Sequence, residues 1–313
     1  MHRSRYSRDV PHCRRSGWTC VSPTRIFENV LKLYNGHENH PECAISGLAA
    51  STIRGTMMQK KCLRYLLTSI FLFVPVASAQ STKSAESDDA ELAQSILVKA
   101  DQIRFPRESF QVDVNINTTA PGQSADMHEY RVLSKGNENS VVMTTEPASE
   151  RGQIILMKGR DLWVFMPDLS QPVRLSLSQR LTGQVANGDL ARANFAGDYN
   201  AKILRTDTIN GENYYVLELT GVDRGVTYHK VLYWVRQSNF WPHRAEFYSL
   251  SDRLLKTARY ENFQTLLGKE RPTRLVMEDA LRKGEQSVLE YSEMKLRDLP
   301  DKIFTKDYLK KLE

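Results

Sequence analysis

The sequence predicts a mainly β protein: a strongly curved antiparallel sheet, or an unclosed β-barrel, with α-helices covering its concave side. Segments of alternating apolar and polar residues recur from residue 110 to residue 296. Turn residues such as Asn210 and Gly211 separate neighbouring segments at hairpin spacing. No helix-length pattern lies between the strands of the first half, so βαβ crossovers are not expected.

The first 79 residues have the features of a secretory signal preceded by an extension. Residues 59–64 are basic, residues 65–76 are apolar, and residues 77–79 read A-S-A, a cleavage site. The apolar run is shorter than the roughly 20 residues of a membrane-spanning helix. We expect a signal peptide at residues 57–79 and a soluble periplasmic protein after cleavage. Residues 1–56 are interpreted as an over-long gene start or as a real, disordered extension.

The cysteine content and net charge of the chain after Ala79 differ from those of the whole sequence. All four cysteines precede this position, at Cys13, Cys20, Cys43 and Cys62. The mature chain therefore has no thiol for a disulfide or a zinc site, and Gln80 is not a lipidation site. Its 32 basic and 33 acidic residues give a net charge of −1, compared with +6 for the whole chain. Nucleic-acid binding has no support, since it needs a basic patch.

After a flexible terminus at residues 80–88, a single domain is predicted at residues 89–313. An amphipathic helix is expected from Ala90 to about Ile103, with an apolar stripe that faces the sheet. Strands are predicted at residues 110–117, 129–135, 140–145, 153–158 and 162–166, and then at 201–207, 214–220, 227–236, 244–250, 254–263, 273–279 and 287–296. A short C-terminal helix is expected after Thr305.

The stretch between these two runs of strands interrupts the regular spacing of the predicted hairpins. Residues 162–166 form an apolar strand ended by Pro167, and residues 173–177 alternate. Several glycines and a short helix starting at Asp189 follow. We predict that this interruption is a mobile lid on the sheet, with the candidate residues Gly183, Gly188, Asp189, Phe195 and Tyr199.

One ordered series of motifs extends over nearly all of the chain after the leader. It comprises Trp163, Pro167, Arg174, Gly188, Asp189 and Tyr199, followed by Trp234 and by residues 242–248, 255–258, 271–273 and 304–309. In its order and spacing the series resembles the LolA-like family of periplasmic outer-membrane lipoprotein-sorting proteins. The resemblance implies an unclosed barrel with an α-helical lid, as in LolA and LolB, and a role in lipoprotein transport.

Little in the mature chain points to catalysis or metal binding. His128, His229 and His243 lie on different predicted elements, without a companion at metal-ligand spacing. No G-x-S-x-G elbow, P-loop or Rossmann glycine pattern is present, and no pair of carboxylates stands out as acid and base. We expect no enzymatic activity, no metal and no cofactor. A lipid hydrolase is the alternative that would need a nucleophile and a base.

Binding is indicated by strands that are apolar on both faces, because the second face of a single sheet then needs a cover or a partner. The candidates for a lipid-binding cavity are Leu92, Ile96, Val112, Val114, Ile154, Leu156, Trp163, Phe165, Tyr215, Leu217, Trp234 and Phe247. The other interpretation is that these residues fill a packed core. Arg174 and Arg192 are read either as groups facing a ligand at the cavity mouth or as solvated arginines.

Together, the sequence and the resemblance predict a monomeric periplasmic carrier that passes lipidated or hydrophobic cargo towards the outer membrane. The family analogy adds an RND- or ABC-type inner-membrane transporter as the expected partner. The alternative is an envelope sensor or interaction module of the same fold that binds a membrane-anchored partner.

Overall fold

The computed structural model describes residues 81–192 and 194–309. The extension expected at residues 1–56 and the signal peptide expected at residues 57–79 lie outside the described residues. Within the described part, no helix is long and apolar enough to cross a bilayer.

Thirteen strands form one antiparallel sheet. Its first half comprises β1 (Phe110–Thr119), β2 (Asp126–Lys135), β3 (Asn139–Glu146), β4 (Ile154–Lys158), β5 (Asp161–Phe165) and β6 (Val173–Leu175). The short strands β7 (Arg180–Thr182) and β8 (Val185–Ala186) form a separate sheet. The second half comprises β9 (Tyr199–Ile209), β10 (Glu212–Gly221), β11 (Lys230–Arg236), β12 (Pro242–Tyr248), β13 (Leu254–Leu266), β14 (Lys269–Asp279) and β15 (Gln286–Leu296).

The pairing of β1 with β15 joins two meanders in the middle of the sheet. One meander runs outward from β1 to β6, and the other runs from β15 back to β9. Because β6 and β9 lie at opposite ends of the strand order, the sheet does not close into a barrel. The predicted fold class, a mainly β protein built on an unclosed antiparallel sheet, is confirmed.

Several strand ends differ by a few residues from the sequence prediction, and two differences have a clear local cause. Helix α1 (Ser81–Arg104) begins within the terminus that was expected to be flexible, because the residues there include good helix formers and no proline. Strand β6 ends at Leu175, since the backbone turns at the next residue, where Gln179 N–H donates to Ser176 O at 3.2 Å. The Ser176 hydroxyl also hydrogen-bonds Ser178 at 2.7 Å, a local arrangement that competes with a strand ladder.

The inner face of the sheet is the face that α1 covers. Helix α1 packs on β9, β12 and β14 through the side chains of Ala93, Ile96, Leu97 and Ala100, which are buried. Alternate residues of the strands complete this core, among them Val112, Val114, Leu217, Tyr233, Phe247 and Met277. Period-two alternation thus gives the sheet one continuous apolar face.

The outer face carries a second apolar cluster on β3, β4 and β5. The C-terminal segment covers it with a 3₁₀ helix (Asp301–Phe304) and a short α-helix (Lys306–Leu309). Its buried side chains are Leu299, Ile303, Phe304 and Leu309, and Lys306 Nζ lies 3.9 Å from the centre of the Trp163 ring. The chain itself therefore supplies the cover that an apolar second face requires.

Truncation of Phe304 tests this role of the C-terminal segment. Its side chain is only 2% exposed, so we expect Phe304→Ala to lower the free energy of unfolding by about 3 kcal/mol. Urea unfolding measures the change, with Leu296→Ala as the control because Leu296 is 51% exposed. Equal effects of the two variants would show that the segment is not part of the folded core.

Candidate functional site

A single chain segment, residues 176–198, crosses the inner face beside α1; we call it the lid. It contains β7, β8 and the short helix α2 (Asn187–Ala191). Its apolar side chains point into the inner core, and the buried ones include Leu177, Val185, Leu190 and Phe195. Helix α2 packs on β2, β3 and β4. The lid and α1 thus cover the inner face in place of a second sheet.

Two glycines allow the lid to approach the sheet closely. A Cβ at Gly183 would lie 2.2 Å from Thr118 Oγ1 and 2.3 Å from Ser287 Oγ, on β1 and β15. Gly183 also has a φ of +50°, which favours glycine. A Cβ at Gly188 would lie 2.0 Å from Thr227 Oγ1. Neither position therefore has room for a larger side chain while the facing threonine and serine side chains keep their places.

Asp189 accepts three hydrogen bonds at one carboxylate oxygen, and two of them join the lid to the second meander. Asp189 Oδ2 accepts from Ala186 N–H at 2.8 Å, from Tyr228 Oη at 2.6 Å and from Lys256 Nζ at 3.2 Å. Lys256, on β13, also donates to Gln184 O. We call this group the Asp189 latch.

Lys256 is the unusual member of the Asp189 latch, because its side chain points from a strand into the inner core. It is 7% exposed, and its Nζ lies 4.8 Å from the centre of the Tyr228 ring. Burial lowers the pKa of Lys256, and the Asp189 carboxylate opposes this shift. A charge in this position depends on its carboxylate partner.

A second polar group fixes the end of the lid to the first meander. Arg192 Nη2 donates to Asp198 Oδ1 at 2.7 Å, and Arg160 Nε donates to the same oxygen at 3.0 Å. Arg192 Nη1 donates to the backbone oxygens of Gly159 and Asn137, at 3.0 and 2.5 Å. The Arg192 side chain is 6% exposed, which corrects the expectation of a solvated arginine. Arg174 is exposed on the edge strand and pairs with Asp161.

The C-terminal end of α1 is joined to the lid by a third polar contact. Asp101 Oδ2 accepts a hydrogen bond from Ala196 N–H at 2.7 Å, and Asp101 Oδ1 pairs with Arg104 Nη1 at 3.3 Å. The buried Arg104 guanidinium lies 4.8 Å from the centre of the Phe195 ring and 5.5 Å from that of Tyr260. Movement of the lid would therefore break contacts with α1 as well as with the sheet.

The space between the sheet and its covers is small in this conformation. One cavity of about 20 Å³ lies between β1 and α2, and another of about 20 Å³ lies beside Phe195 and Tyr260. Each has room for about one water molecule. Asn194 borders both cavities, and its buried Oδ1 has no hydrogen-bond partner among the described residues. In this structure the lid and α1 therefore fill the space where a cavity is expected.

The structure brings together about half of the residues expected to line a cavity. Ile96, Val112, Val114, Tyr215, Leu217 and Phe247 belong to the inner core. Ile154, Leu156, Trp163 and Phe165 face outward beneath the C-terminal segment, and Trp234 lies in an outer cluster with Tyr214 and Val216. Leu92 is 46% exposed. These six residues do not line the interior, because strand alternation and helix periodicity turn them away from it.

Four of the five lid candidates lie in the lid itself. Gly183, Gly188 and Asp189 make the contacts described above, and Phe195 packs edge to face against Tyr199 and Tyr233. Tyr199 is instead the first residue of β9, where its hydroxyl accepts from Tyr228 N–H at 3.1 Å. Tyr199 therefore belongs to the sheet surface on which the lid rests.

The sequence analysis does not identify Lys256 or Tyr228 as residues that hold the lid. For Lys256 a signal exists in the alternation of β13, where residues 256, 258 and 260 share the buried face. A lysine in phase with buried Ala258 and Tyr260 indicates an inward charge with a partner. Among the described residues, no group of three or more His, Cys, Asp or Glu side chains could hold a metal ion.

Comparison with known proteins places this fold in a family. The crystal structure of a LolA superfamily protein from Nitrosomonas europaea is 74% identical in sequence, covering 69% of this chain and 98% of that chain, with a TM-score of 0.67. A family model described as "Uncharacterized protein" matches residues 136–311. No curated protein matches the chain. The chain belongs to the LolA superfamily.

Two more distant crystal structures share the fold. A protein domain from Vibrio parahaemolyticus, assigned to outer membrane lipoprotein sorting, is 22% identical and covers 71% of this chain and 99% of that chain, with a TM-score of 0.62. A DUF1329 family protein from Desulfovibrio piger is 21% identical, with the same coverage of both chains and a TM-score of 0.60. At these identities the likeness concerns the fold.

Removing the charge of Asp189 tests the Asp189 latch. Asp189→Asn would leave the buried Lys256 ammonium without its carboxylate, a change that costs roughly 3–5 kcal/mol at buried pairs. We expect faster amide hydrogen exchange in residues 176–198, measured by mass spectrometry. Asp161→Asn is the control, because its ion pair with Arg174 is exposed and worth about 0–1 kcal/mol.

The double variant Asp189→Asn/Lys256→Met separates the charge from the shape of the site. It removes the unpaired ammonium as well, so exchange in the lid should return most of the way to that of the unsubstituted protein. Exchange that is unchanged in Asp189→Asn would contradict the role of the Asp189 latch.

Proposed function

We propose that this protein is a periplasmic carrier that binds the acyl chains of lipidated or otherwise hydrophobic cargo on the inner face of its sheet. One observation carries the proposal. The lid and α1, two small elements, cover a continuous apolar face of the sheet by apolar packing and a few polar contacts. Such covers can be displaced without breaking the hydrogen bonds between the strands of the main sheet. Membership of the LolA superfamily and the predicted signal peptide support the proposal.

Cargo binding requires the lid to move. The closed interior has cavities of about 20 Å³, whereas binding sites for small molecules have volumes of about 300–1,000 Å³. Displacement of residues 176–198 would uncover inner-face side chains of β2, β3 and β4, on which α2 packs, and Tyr233 of β11, on which Phe195 packs. The acyl chains would take the place of Leu190 and Phe195 against the same surface.

The free energies make such an exchange feasible. Opening returns both charges of a buried ion pair to water, so it costs less than the roughly 3–5 kcal/mol that is lost when one partner is removed and the other stays buried. Burying a methylene group contributes about 0.8 kcal/mol. About six methylene groups are therefore sufficient to offset the loss of the Asp189 latch. An ordinary acyl chain has more than that, so cargo with one or more chains can stabilise the open state.

The proposed activity involves transfer of cargo without covalent chemistry. The buried Lys256, Asp189 and Tyr228 hydrogen-bond one another to close the lid, and we assign them a structural role in gating. By analogy with the superfamily, the carrier works as a monomer, receives cargo beside an RND- or ABC-type inner-membrane transporter and delivers it towards the outer membrane.

A disulfide between the lid and the sheet tests the proposal. A Cβ at residue 188 would lie 3.0 Å from Thr227 Cβ, close to the roughly 3.5–4.5 Å of a disulfide. We expect oxidised Gly188→Cys/Thr227→Cys to lose at least 90% of its uptake of a fluorescent fatty acid (an estimate for a lid held shut). Reduction of the same sample should restore uptake, which serves as the internal control.

Equal uptake by the oxidised and reduced forms would show that the probe does not enter beneath the lid. A folded protein that takes up no probe in either form would favour the second role, an envelope sensor or interaction module that binds a membrane-anchored partner. The single variant Thr227→Cys should behave as the unsubstituted protein, because its side chain is close in size to threonine.

A further inference from the structure

A surface cleft of about 300 Å³ lies outside the lid, next to the Asp189 latch. It is bounded by β7 and β8 of the lid, by the turn between β12 and β13, and by the turn between β14 and β15. Four basic residues line it: Arg180, Arg253, Lys256 and Arg282. The only acidic residue of its lining, within the described part of the chain, is Asp279. We call it the basic cleft.

Arg282 occupies the acidic side chains of the turn between β14 and β15, which borders the basic cleft. Arg282 Nη2 lies 3.0 Å from Asp279 Oδ2, and Arg282 Nη1 lies 3.1 Å from Glu285 Oε2. Asp279 also accepts hydrogen bonds from the backbone N–H groups of Leu281 and Arg282. These carboxylates are therefore neutralised within their own turn.

The other three basic residues keep donors available for a ligand. Arg180 and Arg253 are exposed, and neither forms an ion pair with any residue in the described part of the chain. Lys256 Nζ donates to Gln184 O and Asp189 Oδ2, which leaves the third of its N–H groups. Two guanidinium groups and an ammonium around one concave site are the donors that suit a phosphate group.

The basic cleft is also partly apolar and adjoins the interior. Its lining includes Val185, Leu255 and Leu281 as well as the Tyr228 ring. Tyr228 also borders the interior cavity beside Phe195 and Tyr260. One aromatic side chain therefore separates the basic cleft from the surface on which the acyl chains are proposed to bind. A molecule that spans Tyr228 would have a charged end outside and an apolar end inside.

We propose that the basic cleft binds the anionic, phosphate-bearing head group of an amphiphilic cargo, whose acyl chain passes Tyr228 into the interior. This inference rests on the proposed carrier function and specifies its substrate class. A head group that binds Lys256 would also compete with Asp189 for the ammonium. Recognition of the head group is thereby coupled to release of the lid.

Calorimetric titration with two single-chain phospholipids of equal chain length tests the inference. One probe is lysophosphatidic acid, which has an anionic phosphomonoester, and the other is zwitterionic lysophosphatidylcholine; both are used below their micelle concentrations. We expect the unsubstituted protein to bind the anionic probe at least tenfold more tightly, an order-of-magnitude estimate for several charge-assisted hydrogen bonds. Low ionic strength limits the screening of the exposed arginines.

The variant Arg180→Gln/Arg253→Gln should lose this preference while still binding the zwitterionic probe. Arg180→Lys/Arg253→Lys, which retains both charges, should recover most of it. Arg107→Gln is the matched control, because Arg107 is an exposed arginine in the loop between α1 and β1, away from the basic cleft. It should bind both probes as the unsubstituted protein does.

Other outcomes would overturn specific parts of the account. Equal affinity of the unsubstituted protein for both probes would refute the head-group site and leave the carrier function standing. Displacement of the anionic probe by inorganic phosphate at equal concentration would show that the cleft binds free phosphate. It would refute the proposal that the ligand is an amphiphile. Failure to bind either probe would contradict the carrier function itself, together with this inference.

Discussion

Burial of the inner face of the sheet is the constraint on which the rest of the structure depends. Thirteen antiparallel strands present one continuous apolar surface, and this surface is too large to remain in contact with water. A second sheet would cover it permanently. Here α1 and the lid cover it instead, and the proposed carrier function requires these covers to separate from the sheet.

The attachment of these covers combines apolar packing with buried charge. Lys256 of β13 meets Asp189 of the lid. Arg192 meets Asp198 within the lid, and Arg104 meets Asp101 within α1. These two pairs reach other elements through Arg160, which donates to Asp198, and through the Ala196 N–H group, which donates to Asp101. Buried ion pairs contribute little net stability, because desolvation opposes their attraction. They define the position of the lid more than they strengthen its binding. A cover that is well positioned and modestly stabilised suits the proposed carrier, which has to open for cargo and close again.

The sequence was sufficient for the strands and for the lid as an interruption between two meanders. Period-two alternation and turn residues located the strands of the main sheet, and the glycines of the lid are where close approach requires them. The face towards which a side chain points was harder to predict than the strands themselves. Strands β4 and β5 are apolar on both faces, so alternation alone does not indicate which face is the inner one. Ile154, Leu156, Trp163 and Phe165 were therefore assigned to the interior, although they lie beneath the C-terminal segment.

The candidate site was less predictable from the sequence, because its contacts join residues that are far apart along the chain. Arg192 is a long charged residue, and such residues are usually solvated; its burial depends on Asp198 and on backbone oxygens from two distant turns. Lys256 could have been found from its phase on β13, whereas its contact with Asp189 joins residues 67 positions apart. Whether the apolar residues enclose a cavity depends on the position of the lid, which local sequence patterns do not determine.

The most direct measurement of the central claim is mass spectrometry of lipid extracted from the protein. The chain from Gln80 onward would be purified from a bacterial periplasm without detergent, denatured and extracted. The account predicts acylated cargo at close to one molecule per protein, with a mass that begins to identify it. A folded protein that contains no lipid, and that remains empty after incubation with acylated cargo, would contradict the account.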